Sequence, residues 1–331
     1  ASPTGEVPDL EAPPITEIPG GNGLGVAAGY GIASFDAANS SFDNNFENGL
    51  VVTGMFGVTG NSSPATLNNI SASGNGDNGA LVITGLSLPG MMTMDTETSE
   101  SDFFGGDIEL AVRNSNFDFN GFGENNLPDA DVDINYDDGL LVATPNGGSI
   151  YFDAANSSFD YNRGNGLEVD AYDGIYGNNS PVTLINVNAS NNGQDGASFY
   201  TNFGDIDLAV VGSAFNSNGQ GGIEGDGLFA EAGSGRVYFD AHSTEFWGNN
   251  DDGLDVEAFY DITASLGNVT ANDNGEDGAD FFSSDGGVYL TAYNSDFNNN
   301  DQDGLEADAR FDIDALLINV LANDNESEGA Q

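Results

Sequence analysis

One turn recurs down most of this chain: Asn, two residues, Asn or Asp (once Glu), Gly, then Leu or Ala. Its glycines are Gly49, Gly79, Gly139, Gly166, Gly196, Gly227, Gly253, Gly278, Gly304 and Gly329, with a first copy at Gly23. An asparagine stands four residues before nine of these eleven: Asn45, Asn75, Asn135, Asn162, Asn192, Asn249, Asn274, Asn300 and Asn325. Glycine-to-glycine spacings run 26, 30, 60, 27, 30, 31, 26, 25, 26 and 25. Self-similarity at such a period marks a solenoid, in which each repeat buries its apolar face only against its neighbours.

After each glycine apolar residues alternate, as in Leu167-x-Val169-x-Ala171 and Leu254-x-Val256-x-Ala258, which predicts strands with one buried face. A second alternating stretch follows (Val237-x-Phe239-x-Ala241), then a third short strand enters the turn. Three short strands per coil and no helical period predict an all-β fold, a parallel β-helix of about eleven coils. The third strand carries Ser or Thr then Phe in some coils (Ser157/Phe159) and a branched aliphatic then Ala in others (Val187/Ala189). That exchange of volumes predicts coils that alternate in kind. Residues 1–21 are Pro-rich and stand outside the repeat as an extended arm. Residues 22–331 form the β-helix, with insertions at about 86–106 and 123–137.

The asparagine column resembles the asparagine ladder of right-handed parallel β-helix proteins, the pectate-lyase-like superfamily. The resemblance covers roughly 22–331 and implies a right-handed coil with stacked amides. It carries no catalytic site across. The Gly-His-Gly and Arg-x-Lys of polygalacturonase-like members are missing; the one histidine, His242, stands in Ala-His-Ser, and there is no lysine. No Asp-Pro-His of the alginate-epimerase kind occurs either. The expectation is a non-enzymatic member.

The chain has 4 Lys+Arg against 54 Asp+Glu, a formal charge of -50. Such a polyanion repels nucleic acid and anionic membrane, and no run is long enough for membrane insertion. Carboxylates crowd the turns, and those at Asp251, Asp252, Glu276, Asp277, Asp301 and Asp303 suit Ca²⁺, which takes six to eight oxygen ligands. A solvated acidic edge is the plainer reading. Charge of this density needs screening or bound cations, and the chain starts at Ala1, so a secreted, extracellular or cell-surface location is expected. Sequons at Asn39, Asn156 and Asn268 are candidate glycosylation sites.

Outward positions of the first strand are acidic late in the chain but apolar early, at Val51, Leu81 and Leu141. Apolar outer positions need cover. It is expected from the insertion at 86–106 or from a neighbour's arm, through Val7, Leu10, Ile15 and Ile18. Nothing reads as an amphipathic cap at either end. The expected function is therefore a structural subunit of an extracellular filament or surface layer, a head-to-tail homopolymer stabilised by Ca²⁺. The alternatives are a monomeric adhesin that binds extracellular polysaccharide and, less favoured, a polysaccharide lyase or hydrolase.

Overall fold

The computed structural model describes residues 21–85, 105–122, 137–179, 181–220 and 225–331. The arm residues Val7, Leu10, Ile15 and Ile18, ladder candidate Asn135 and most of both insertions lie outside them. The fold is an all-β, right-handed parallel β-helix, and no α-helix occurs among the described residues.

One sheet holds ten strands stacked in chain order, from Leu24–Ala28 to Asp308–Ala309, so the solenoid has about ten turns. The second sheet runs from Ala33–Ser34 to Ile313–Ile318. The register repeats without slippage: Leu228 lies on Leu254, and Leu254 on Ala279. Leu167, Val169 and Ala171 point into the core while Glu168 and Asp170 point out. This is the period of two that a half-buried strand requires.

The expected third strand is reduced to a line of single parallel bridges: Ser71, Asn116, Ser158, Asn188, Ala214, Glu245, Thr270, Asp296, Leu321. A residue in left-handed conformation bends the chain ahead of it (Asn156, φ 51°; Asn268, φ 53°), and this leaves too little extended backbone for a ladder. Nor do the coils strictly alternate in kind. Phe117 and Phe159 occupy successive coils, as do Phe215 and Phe246, and each pair stacks with ring centroids 5.3 and 5.5 Å apart. Offset stacking lets one large residue follow another without a void. The Ser two residues before such a Phe has its own task. Ser213 Oγ and Ser295 Oγ accept the amides of Val187 and Val269 from the preceding coil, each at 3.1 Å.

Val51, Leu81 and Leu141 do not wait for a neighbouring subunit. With Ile83 and Ala143 they form a second apolar cluster, buried within the single chain.

Candidate functional site

The turn places two polar columns side by side. In the first, Asn45, Asn75, Asn120, Asn162, Asn192, Asn218, Asn249, Asn274, Asn300 and Asn325 stack coil on coil. From Asn75 on, each side-chain oxygen accepts both the backbone N–H and the amide Nδ2 of the asparagine one coil earlier, as Asn274 Oδ1 does from Asn249 at 3.0 and 3.1 Å. Two members, Asn120 and Asn218, do not stand four residues before a repeat glycine, because extra residues intervene in those turns. Asn120 takes the place that fixed spacing gave to Asn135. All ten stand three residues after the core residue that enters the turn, as Asn120 follows Phe117 and Asn218 follows Phe215. Counting from the core finds every member.

Asparagine tolerates the left-handed conformation of a tight corner, yet the ladder asparagines do not adopt it. The residue before each one does, as at Asn44, Tyr161, Asp273 and Asn299. The repeat glycine is needed for space: a Cβ on Gly166 would meet Gly196 O at 2.5 Å and Asn192 Nδ2 at 2.7 Å.

The second column is the residue just before each glycine: Asn22, Asn48, Asn78, Asp138, Asn165, Asp195, Asp226, Asp252, Asp277, Asp303, Glu328. Here the backbone N–H donates to the Oδ1 of the residue one coil earlier, as Asp226 does to Asp195 and Asp252 to Asp226, both at 2.9 Å. The bond is the same whether the acceptor is amide or carboxylate. From Asp195 onward it is always a carboxylate, so like charges stack one coil apart.

Beside this column lie the outward carboxylates of the ten-stranded sheet and the acidic turn residues Asp251 and Glu276, and together they form three groups. Asp251, Asp252 and Glu276 converge, as do Asp252, Asp255 and Asp280, and Asp277, Asp280 and Glu306; within each group the oxygens lie within 4.8 Å of one another. Asp252 and Asp280 each belong to two groups. Asp255 Oδ1 and Asp280 Oδ1 are buried without a hydrogen-bond donor. Asp301 and Asp303 enter none of the three. The sequence reading missed Asp255, Asp280 and Glu306 as ligands because it treated strand and turn separately; register brings them together.

Burial, reinforced by neighbouring carboxylates, raises these acids. Asp252 is pushed up to about 8, Asp277 to about 7 and Asp255 to about 10. Asp280 rises to about 6 and Asp195 to about 7, and Asp226 lies well above its ordinary value. Asp138 is fully buried, with Oδ2 lacking a hydrogen-bond partner; burial first, then the Glu168 carboxylate, holds Asp138 well above the usual carboxylate range. Such shifts show that this wall carries more negative charge than the fold alone can comfortably ionise. An all-oxygen donor set with orphaned buried oxygens fits a hard divalent cation.

The glycosylation candidates Asn39, Asn156 and Asn268 all sit exposed at the left-handed bend. Their side chains stack too: Asn186 Nδ2 donates to Asn156 Oδ1 at 3.1 Å.

No protein-family model matches the chain, and no curated protein does. Among solved structures it is similar to the periplasmic alginate epimerase AlgG, at 10% identity over 92% of this chain and 79% of that one, with a TM-score of 0.39. Two mutants of the same enzyme match with TM-scores of 0.38 and 0.36, at 10% and 11% identity over 92% and 88% of this chain and 79% and 78% of theirs. The expectation of a non-enzymatic chain is corrected by this finding. The solved structures it matches are enzymes, and lacking the motifs of other β-helix enzymes does not make a β-helix inert. At this distance the likeness carries no chemistry across.

Among the described residues no helix is long and apolar enough to cross a membrane.

Proposed function

We propose that the chain is an extracellular structural solenoid whose acidic wall binds divalent cations of the Ca²⁺ type. The observation that carries this is the convergence of Asp251, Asp252, Asp255, Glu276, Asp277, Asp280 and Glu306 into three groups that share ligands. Asparagine would make the same backbone bond at positions 252 and 277, as it does at 48 and 78, without the cost of burying charge. Carboxylate there is explained by something that neutralises it. Thermal unfolding in Ca²⁺ and in Na⁺ at equal ionic strength tests the reading. Ca²⁺ should raise the melting temperature well beyond Na⁺, and Asp280→Asn, which removes a ligand from two groups, should abolish most of the difference. Equal effects of the two salts would leave screening as the whole explanation.

A second reading within this proposal is end-to-end association of copies of the chain. Ile313, Ala315 and Leu317 of the last strand occupy the register of the core residues Val288, Leu290 and Ala292, yet Ile313 is 50% and Leu317 41% exposed. A further coil stacked here, whether from the same chain or from a second copy, would bury them and pair the open backbone. Charge at -50 per chain makes such stacking strengthen with Ca²⁺ or salt. Sedimentation of the protein in Ca²⁺ should show large species that Leu317→Lys reduces to monomer; a strictly monomeric parent protein would overturn this reading.

A further inference from the structure

The outer face of the second sheet, away from the acidic wall, carries a different set of groups. Where the coil at 175–185 reaches that sheet its strand splits into Ile175–Tyr176 and Val182–Ile185. Between them Asn178 is pinned, its Nδ2 donating to Asp153 Oδ2 and Leu110 O, both at 3.0 Å. Pro181 of this ledge borders an open groove of about 330 Å³ that runs over the next coils and is lined by Asp207, Tyr238, Asp240, Thr263 and Ser265. Register aligns Asp207, Tyr238 and Thr263 in one row and Asp240 and Ser265 in the next.

One lining carboxylate is held from the side. His242 Nε2 lies 2.9 Å from Asp240 Oδ1, and His242 Nδ1 lies 3.1 Å from the Tyr293 hydroxyl. His242 and Tyr293 are two coils apart, with Gly267 between them in register. They meet only because position 267 has no side chain: a Cβ there would overlap His242 Nδ1 and the Tyr293 ring and hydroxyl. The imidazole is thus wedged between Asp240 and Tyr293, and Asp240 Oδ1, close to Nε2, is buried without a hydrogen-bond partner. The ring packs against the Oδ1 side of Asp240 and leaves Oδ2 to accept from a ligand.

We propose that this groove binds an uncharged, hydroxyl-rich ligand of the neutral-saccharide class, with a ring face on Tyr238 and hydroxyls on Asp240, Thr263 and Ser265. Tyr238 is 42% exposed and offers an apolar face beside polar groups, the pairing that sugar rings require. Asp207, Asp240 and the overall charge of -50 disfavour an anionic sugar. Asp240 is the hydroxyl-binding group; His242 and Tyr293 are positioning residues. The proposal is independent of the cation reading.

The test is calorimetric titration of the full chain with neutral hexasaccharides (cellohexaose, maltohexaose, laminarihexaose) and with an oligouronate of six residues. At least one neutral probe should bind saturably and the oligouronate should not. Tyr238→Ala should weaken binding at least tenfold, while Tyr172→Ala, in the turn after the other sheet, should change nothing. Gly267→Ala tests positioning with the main chain left intact, since the atoms it displaces are side-chain ends. It should weaken binding severalfold and alter the ¹⁵N shifts of the one imidazole. Far-UV spectra confirm that each variant is folded. Absence of binding by every neutral probe, preference for the uronate, or undiminished binding in Tyr238→Ala would each overturn the proposal.

Discussion

The early and late coils share one backbone and differ in what they put on it. Around Leu50–Gly54, Ala80–Thr84 and Leu140–Thr144 the outer face of the ten-stranded sheet is apolar and buried, and the residue before the turn glycine is Asn48, Asn78 or, as a single carboxylate, Asp138. Around Leu254–Ala258 and Ala279–Ser283 the same face carries Asp255, Glu257 and Asp280, and the turn residue is Asp252 or Asp277. Both halves make the same column of bonds from backbone N–H to side-chain oxygen. The architecture therefore does not need the charge. Coil geometry and surface chemistry are separate properties here, which is why one solenoid can carry a covered hydrophobic face at one end and an anionic wall at the other.

The largest effect expected of this asymmetry is on pH dependence. The folded pKa values of Asp195, Asp252, Asp255 and Asp277 are raised, so the native chain holds more protons than the unfolded one across the intervening range. The stability this provides is full near the unfolded carboxylate values and is lost as pH climbs through the folded ones. In chelator, the melting temperature should fall steadily from about pH 5 to about pH 9. Added Ca²⁺ should flatten that slope, and a slope unchanged by Ca²⁺ would dissociate the raised values from any cation. Next in size, moving the late chemistry into the early half by Asn78→Asp places a carboxylate in a fully buried position beside Asp138. It should cost about 3 kcal/mol at neutral pH, read by denaturant unfolding. Asn249→Leu and Asn75→Leu should each cost roughly 1–3 kcal/mol, because both break the uninterrupted amide column. Unequal costs would show that the ladder, too, differs between halves. Smallest, Asp195→Asn should raise the chelated protein's melting temperature at pH 8 by a few degrees, since the amide keeps the bond to Asp226 N–H and removes a charge.

Most of the fold was legible because a solenoid repeats its instructions: the glycine column, the alternation after it and the core Phe or Ala before it recur in nearly every coil. The site was less legible for a physical reason. Asp252 and Asp280 are 28 residues apart in sequence but are brought together by strand register, which becomes definite only once the coils are stacked. The asparagine column was readable wherever the turn was short. It failed at Asn120 and Asn218, where added residues separate the asparagine from its glycine while leaving it fixed to Phe117 and Phe215. Nothing in the sequence linked His242 to Tyr293, because the signal was the missing side chain of Gly267 in the coil between them.

The sharing of Asp252 and Asp280 between groups has a consequence for how the wall would fill. Sites that own their ligands saturate independently, each with its own affinity. Sites joined by a common carboxylate behave as a short one-dimensional lattice: an ion in one cell spends part of its neighbour's charge and also fixes the neighbour's geometry. The middle cell, which draws Asp252 from one side and Asp280 from the other, cannot change state without notice to both ends. Occupancy along the late coils is then a property of the row.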